Sequence, residues 1–260
     1  MGSVVERRIF HNEQEVAHEA AEFVVCLAER SLETDGAFRV ALSGGSTPKL
    51  LYQALSGPLF RKQIDWSVVE FYFGDERGVP PTHPESNFRM AQETLFEPLS
   101  IASGRVFRMP GEAEDLDAAA SRYEHVIREQ FNTPPPSWPR FHLILLGLGD
   151  DGHTASLFPG APALQEAGRA VVASRSPKGV PNRLTYTLPL INQASTVMFV
   201  VTGAGKAEVV KTVLEDRQAE PTRYPAKLVR PSNGRLIWFL DHAAASELQP
   251  EKQQITYEEE

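Results

Sequence analysis

The sequence predicts an α/β fold with an open, mainly parallel sheet and helices on both faces, a Rossmann-like arrangement. Two patterns predict it. Short apolar runs typical of strands alternate along the chain with segments whose apolar residues recur at helical spacing. The strand runs are apolar throughout instead of alternating with polar residues, as expected for strands that are covered on both faces.

The individual elements follow from the same patterns. The first helix is predicted over residues 13–32, where apolar side chains recur at helical spacing. Extended segments are predicted at 37–43, 68–73, 141–146, 170–174, 183–189, 195–203 and 235–240. Further helices are predicted from Pro48, from Ser86 or Asn87, near 116–127, over 206–214 and after Asp241, which is predicted to be an N-cap.

Composition restricts the class of protein. The chain has 260 residues, of which 42% are hydrophobic and 23% charged, so one domain over 1–260 is expected, with a frayed tail from about 249. A net charge of −8 argues against a nucleic-acid partner. The single cysteine, the lack of an apolar leader and the lack of a bilayer-length apolar run predict a cytoplasmic location without a membrane partner. A monomer is expected.

Polar turns follow four of the predicted strands, at 43–47, 74–77, 150–154 and 202–206. In an open parallel sheet, ligands bind beyond the carboxyl ends of the strands, so these turns should share one edge. They combine hydroxyl groups, small residues with accessible backbone, carboxylates, Arg77, His153 and Lys206. This inventory suits a phosphorylated small molecule and acid–base chemistry.

The first turn leads into a helix and has two interpretations. Free N–H groups and hydroxyls at a helix N-terminus form an anion site, for which the candidates are Ser43, Gly44, Gly45, Ser46 and Thr47. Alternatively, the glycines only turn the chain and Ser46 or Thr47 caps the helix.

The two basic residues of these turns, Lys206 and Arg77, also have more than one interpretation. Lys206 lies in a sequence that resembles a P-loop, but Val200 and Ala207 occupy positions where that motif needs glycine and a hydroxyl residue. Lys206 can instead contact a phosphate directly or remain solvated. Arg77 can bind a phosphate or polarise a carbonyl, or it can form an ion pair with Asp75 or Glu76.

The turn after 141–146 contains glycines at 147, 149 and 152, the spacing of a dinucleotide fingerprint. Asp150 and Asp151 would repel a pyrophosphate, and Pro159 prevents the long helix that such a fingerprint opens. We interpret the segment as a tight turn that presents His153 for catalysis, although a lone histidine can be structural. An aspartate two residues before a histidine can also bind a metal, but no nearby cysteine or second histidine supports this.

At these residues the chain resembles a known family. The segments "LSGGSTP", "GDERGVPPTHPESNF", "GLGDDGHTASLFPG", "NRLTYTLPLIN" and "VTGAGKAEVV" occur in the order found in 6-phosphogluconolactonases, and the resemblance covers about residues 3–248. The related glucosamine-6-phosphate deaminases have the same kind of fold but carry different blocks at 75–77 and 153–159. Gly78 and Tyr186 depart from the residues usual in the family.

The resemblance implies hydrolysis of 6-phospho-D-glucono-1,5-lactone to 6-phospho-D-gluconate in the oxidative pentose phosphate pathway, without metal or cofactor. It implies that His153 is the general base, that Asp151 orients it and that Arg77 stabilises the oxyanion. The implied substrate and phosphate contacts are the 43–47 turn, Asp75, Arg183 and Lys206. A sugar-phosphate deaminase or isomerase, a non-catalytic sugar-phosphate sensor and a dinucleotide oxidoreductase are the alternatives.

Overall fold

The structure, a computed structural model, describes residues 5–249. The strands are β1 Val5–Phe10, β2 Phe38–Leu42, β3 Val69–Phe73, β4 Asp75–Arg77, β5 Leu143–Leu146, β6 Val171–Arg175, β7 Asn182–Tyr186, β8 Thr196–Val201 and β9 Arg235–Asp241. The helices are α1 Glu13–Asp35, α2 Ser46–Ser56, α3 Asn87–Ala91, α4 Glu97–Leu99, α5 Leu116–Gln130, α6 Leu188–Ile191 and α7 Ala207–Leu214. The predicted frayed tail lies beyond the described residues.

Six strands form a parallel sheet in the order β1-β9-β8-β5-β2-β3. Every residue of β3, β5 and β8 is buried, so both faces of the sheet are covered. The predicted open, mainly parallel α/β fold is therefore confirmed. Continuous apolar runs form these strands because no face of the central sheet meets water.

The chain reverses its direction across the sheet between β2 and β5. From β2 it continues outward to β3, whereas β5, β8 and β9 extend toward the opposite edge. Ligand sites in such sheets lie outside the carboxyl ends of the strands at this switch point. The turns after β2 and β5, which contain Gly44 and His153, meet there, and the turns after β3 and β8 flank them. The predicted sharing of one edge is confirmed.

A second, antiparallel sheet of order β4-β7-β6 begins directly after β3. The sequence predicted 74–77 as a turn, but Asp75–Arg77 is a strand, and Arg77 is paired with Arg183 of β7. A three-residue charged strand has no apolar periodicity, so only its pairing with β7 reveals it. This sheet brings Arg183 to the site that the large sheet forms.

Two terminal segments differ from expectation. Val5–Phe10 was not predicted as a strand, because its charged residues hide the pattern of an edge strand; it pairs with β9. The predicted helix after Asp241 is wrong. Asp241 ends β9, and its carboxylate accepts hydrogen bonds from Gly203 N at 3.0 Å and Ala244 N at 2.7 Å. The bond from Ala244 N is the one expected of the predicted N-cap, but residues 242–247 form turns and no helix. Within residues 5–249, no helix is both long and apolar enough to cross a bilayer.

Candidate active site

The turn after β2 presents an open helix N-terminus. Helix α2 begins at Ser46, and Gly45, with φ of 111°, occupies the N-cap position without a side-chain capping bond. The N–H groups of Gly44, Gly45, Ser46 and Thr47 have no acceptor in residues 5–249. The Thr47 hydroxyl contacts the Thr202 hydroxyl at 2.9 Å instead of capping the helix. The capping interpretation is therefore wrong, and this cradle of N–H groups is available to an anion.

The turn after β5 is closed tightly around His153. Gly149 N donates to the carbonyl of His153 at 2.8 Å, and Gly152 N donates to the carbonyl of Gly149 at 3.0 Å. A Cβ on Gly149 would lie 2.0 Å from His153 Nδ1, and Gly152 has φ of 79°. Gly149 is needed because the His153 ring packs against it, and Gly152 is needed because its backbone is left-handed. No helix follows the turn before Pro162, so the structure contains no dinucleotide-type helix here.

His153 forms a pair with Asp151, whose Oδ1 lies 2.5 Å from the imidazole Nδ1 and also accepts the His153 N–H at 3.1 Å. Since the carboxylate accepts, the Nδ1 atom carries the proton and Nε2 carries the lone pair. Burial raises the pKa of Asp151, but the bonds from His153 outweigh it and leave the pKa below the usual range. Asp151 therefore stays ionised and fixes the tautomer of His153.

Arg77 forms no ion pair with Asp75 or Glu76 in the described part of the chain. Its Nη1 donates to the Asn87 side-chain oxygen and to the carbonyl of Glu85, the latter at 2.9 Å. The ion-pair alternative is therefore wrong. The guanidinium lies along the pocket wall with its positive charge available to a ligand.

The acidic residues before Arg77 accept hydrogen bonds from neighbouring segments. The Asp75 carboxylate accepts from Ser156 Oγ at 2.6 Å and from Asn87 Nδ2 at 3.2 Å. Glu76 is 2% exposed and accepts four hydrogen bonds from residues 77 and 86–88. Burial raises the pKa of Glu76. Glu76 lies beside the start of α3 and holds it against β4.

Lys206 and Arg183 reach the site from the remaining elements. Lys206 lies just before α7 and forms an ion pair with Asp150, which is 83% exposed. Arg183 is only 9% exposed, and its Nε has no hydrogen-bond partner in residues 5–249. Burial, and then the charge of Arg77, lowers the pKa of Arg183. A buried cation without a partner is unfavourable unless a ligand supplies the anion.

A pocket of about 330 Å³ joins these groups. It is lined by most of the predicted site residues: Ser43, Gly44, Gly45, Ser46, Thr47, Asp75, Arg77, His153 and Lys206. A neighbouring compartment of about 240 Å³ shares Asp75, Arg77 and His153 with it and contains Asp151 and Arg183. The structure thus brings the whole predicted set together, in two adjoining spaces.

The sequence analysis did not single out two polar residues of this network, Asn87 and Ser156. Asn87 is 1% exposed and bonds both Arg77 and Asp75, and Ser156 bonds Asp75. Both lie inside sequence blocks that carried the family resemblance. Their roles depend on contacts between segments that are distant in sequence, which spacing alone does not reveal.

The two departures from the family pattern lie outside the pocket lining. A Cβ on Gly78 would lie 2.6 Å from Asn182 Cβ, so glycine permits the close pairing of this segment with β7. Tyr186 is fully buried against Tyr123. Among residues 5–249, a trio of closely placed metal-ligand side chains occurs at His18, Glu19 and Glu22 on α1, and these residues do not line the pocket.

A pocket at the switch point of a parallel sheet, with an anion cradle and a His–Asp pair, defines a class of α/β proteins that act on phosphorylated small molecules. The chain belongs to the family of glucosamine-6-phosphate isomerases and 6-phosphogluconolactonases, whose family model matches residues 11–238. The resemblance predicted from the sequence is therefore confirmed, and the family is one of enzymes.

Within this family, the chain is 40% identical to a 6-phosphogluconolactonase of Synechocystis over 239 residues, which cover 92% of this chain and 96% of the relative. The structure of 6-phosphogluconolactonase from Trypanosoma brucei superposes with a TM-score of 0.82 at 30% identity, covering 95% of this chain and 100% of that one. A monomeric glucosamine-6-phosphate deaminase, at 21% identity and a TM-score of 0.76, shares the fold.

Proposed function

We propose that the chain hydrolyses 6-phospho-D-glucono-1,5-lactone to 6-phospho-D-gluconate, a reaction of the oxidative pentose phosphate pathway. The observation that carries the proposal is the His153–Asp151 pair, joined at 2.5 Å, whose imidazole lines the pocket that also contains the open N–H cradle of α2. The similarity to 6-phosphogluconolactonases over nearly the whole chain supports the choice of substrate.

His153 acts first as a general base. Its Nε2 removes a proton from a water molecule while the water oxygen bonds to C1 of the lactone. The carbonyl oxygen becomes an oxyanion, which Arg77 stabilises by its charge and N–H donors. Asp151 stabilises the resulting imidazolium through Nδ1. The imidazolium then gives its proton to the ring oxygen as the C1–O bond breaks, and the neutral histidine is restored.

The phosphate binds at the other end of the pocket. The free N–H groups of residues 44–47 donate hydrogen bonds to its oxygens, and Lys206 adds a positive charge. Asp75 and Arg183 complete the contacts to the sugar and its anionic groups. The lactone carbonyl is already electrophilic, so the scheme uses a general base and an oxyanion donor and no cofactor.

We propose further that the chain acts as a single-domain monomer in the cytoplasm, without a nucleic-acid or membrane partner. Its net charge of −8 supports the exclusion of nucleic acid.

The direct test measures acid release from freshly generated lactone with a proton-sensitive indicator, after subtraction of the spontaneous rate. We expect His153→Asn to lower kcat by roughly 10²–10⁴-fold because the proton acceptor is lost. His125→Asn is the matched control, since His125 is exposed on α5 and paired with Glu129 away from the pocket. Wild-type hydrolysis at the background rate would refute the function, and ammonia release from glucosamine 6-phosphate would then be measured. Near-normal turnover of His153→Asn would refute only the role of His153.

A further inference from the structure

We propose that Asn87 is a positioning residue that holds Arg77 toward the reacting carbonyl and connects it to the His153 segment. The inference rests on the proposed lactonase function, which it deepens. Asn87 is the first residue of α3, is 1% exposed and does not line the pocket. It therefore acts on the reaction through Arg77.

The amide of Asn87 is oriented by its two neighbours. Its oxygen accepts from Arg77 Nη1, and its nitrogen donates to the Asp75 backbone carbonyl at 2.9 Å and to the Asp75 carboxylate at 3.2 Å. A flipped amide would place NH₂ against the guanidinium and oxygen against the carboxylate. One orientation therefore satisfies both partners, and it fixes the distance and direction between Arg77 and Asp75.

Asp75 extends this connection to the segment that follows His153. Its carboxylate accepts from Ser156 Oγ at 2.6 Å, and Ser156 lies three residues after His153. The backbone of Asn87 is held independently, because its N–H donates to Glu76 Oε1 at 2.8 Å. A chain of hydrogen bonds thus links the proposed oxyanion donor to the segment that carries the proposed general base. It runs from Arg77 through Asn87 and Asp75 to Ser156.

The chemistry of the site requires an amide at position 87. An apolar side chain would remove the amide, so one donor of Arg77 and one acceptor of Asp75 would lose their hydrogen-bond partner. A carboxylate would repel Asp75 and draw the Arg77 charge away from the substrate. A protonated carboxyl group, in contrast, keeps one donor for Asp75 and one acceptor for Arg77.

The charged and titratable groups around this amide come from several elements. Asp75, Glu76 and Arg77 from β4 bond Asn87 directly. Glu85 from the preceding loop, Tyr52 from α2, Arg108 before α5 and Arg183 from β7 interact with one or more of these three residues. A carboxyl introduced at position 87 is thus closest to one carboxylate, Asp75, and one guanidinium, Arg77.

The first experiment compares lactone hydrolysis by wild type, Asn87→Ala and Asn87→Asp. We expect Asn87→Ala to lower kcat on the order of 10²-fold with KM changed less than threefold, because Arg77 acts on the transition state. Asn192→Ala is the matched structural control. Asn192 also bonds backbone groups at both ends of its amide, Leu228 O at 3.1 Å and Arg230 N at 2.7 Å, but lies outside the pocket lining.

The pH dependence of Asn87→Asp separates positioning from general damage. At low pH the introduced carboxyl is protonated and mimics the amide, so kcat should approach that of wild type. As the pH rises and the carboxyl ionises, the ratio of wild-type to variant kcat should increase at least tenfold. Asn87→Ala should show a ratio that is constant with pH.

A readout without turnover keeps this inference separate from the proposed function. The guanidinium ¹⁵N signals of Arg77, assigned with Arg77→Lys, should show restricted rotation in wild type and in Asn192→Ala. They should show free rotation in Asn87→Ala. Unrestricted Arg77 in wild type would overturn the inference even if the lactonase rate is high, and so would kcat retained in Asn87→Ala. Restricted Arg77 without lactonase activity would leave the positioning role standing and reject the reaction.

Discussion

At one end of the pocket the polar groups are the backbone N–H donors of residues 44–47, whereas at the other end they are side chains held by other side chains. The first end is partly exposed and depends on the start of α2. The second end contains Arg77, Asp75 and His153, each fixed by at least one hydrogen bond to another side chain. We therefore expect substitutions at the first end to change substrate affinity and those at the second end to change turnover.

The two ends meet at Gly44, where we expect the largest effect. A Cβ at this position would lie 1.8 Å from the Asn87 side-chain oxygen, so Gly44→Ala must displace the cradle, the Asn87 amide or both. We expect kcat/KM to fall by more than about 10²-fold and the free energy of unfolding to fall by roughly 1–3 kcal/mol. Steady-state kinetics and denaturant unfolding measure the two effects.

Gly205→Ala is the control for this change. Gly205 lies in another turn at the same sheet edge, and a Cβ there meets nothing within 4 Å. It should leave both quantities nearly unchanged. If Gly44→Ala behaves like Gly205→Ala, the close contact between the two ends of the pocket has no functional consequence.

We expect a smaller effect from the ion pair of Lys206 with Asp150, at the end of the pocket proposed to bind the phosphate. We expect Lys206→Ala to raise KM about tenfold with kcat nearly unchanged, because one charge-assisted contact to the phosphate is lost. The hydrogen bond from Lys206 holds the pKa of Asp150 below its usual value, so this carboxylate is ionised at neutral pH. Asp150→Asn should free Lys206 and lower KM by about two- to threefold, since Asp150 is largely exposed and its ion pair is weak.

A double variant tests whether the two residues act through each other. With Lys206 replaced by alanine, Asp150→Asn should have no further effect on KM. An unchanged twofold decrease in that background would show that Asp150 acts directly on the anionic substrate. A change in kcat for any of these variants would contradict the division of the pocket into an affinity end and a turnover end.

The smallest expected effect concerns Glu76 and stability. Burial raises the folded-state pKa of Glu76 above its ordinary value of 4.5, so the folded protein binds more protons than the unfolded chain between the two values. The stabilising contribution of Glu76 to the free energy of unfolding is therefore fully present below pH 4.5. It is lost as the pH rises through the raised folded-state pKa. Denaturant unfolding at several pH values should show this decline in wild type and its absence in Glu76→Gln.

Glu76→Gln will also lower the free energy of unfolding at every pH. The NH₂ group of the glutamine must face backbone N–H donors that bond the Glu76 carboxylate in the wild type. The two proteins are therefore compared by the slope of the free energy of unfolding against pH, not by its absolute value. Equal slopes for the two proteins would contradict the raised pKa.

Much of the site is determined by local sequence. The glycines at 149 and 152 permit the turn around His153, and apolar runs followed by polar turns identify the edge at which ligands bind. The open α2 start also follows from local sequence, although only the structure excludes capping by Ser46 or Thr47. These features depend on backbone preferences within a few residues.

Other features depend on pairing between segments that are distant in sequence, and only the folded chain shows them. Asp75–Arg77 becomes a strand only because β7, more than 100 residues later, provides its partner, and this pairing brings Arg183 to the site. Val5–Phe10 is a strand because β9 pairs with it, and the Asp241 carboxylate joins the turn at Gly203 to the turns that follow β9. The sequence alone thus determined the fold class, the ligand-binding edge and the presentation of His153, all of which arise from periodicity and turn chemistry. The bonds of Arg77 to Asn87 and of Asp75 to Ser156 required the folded chain, since hydrogen-bond partners distant in sequence are chosen by packing.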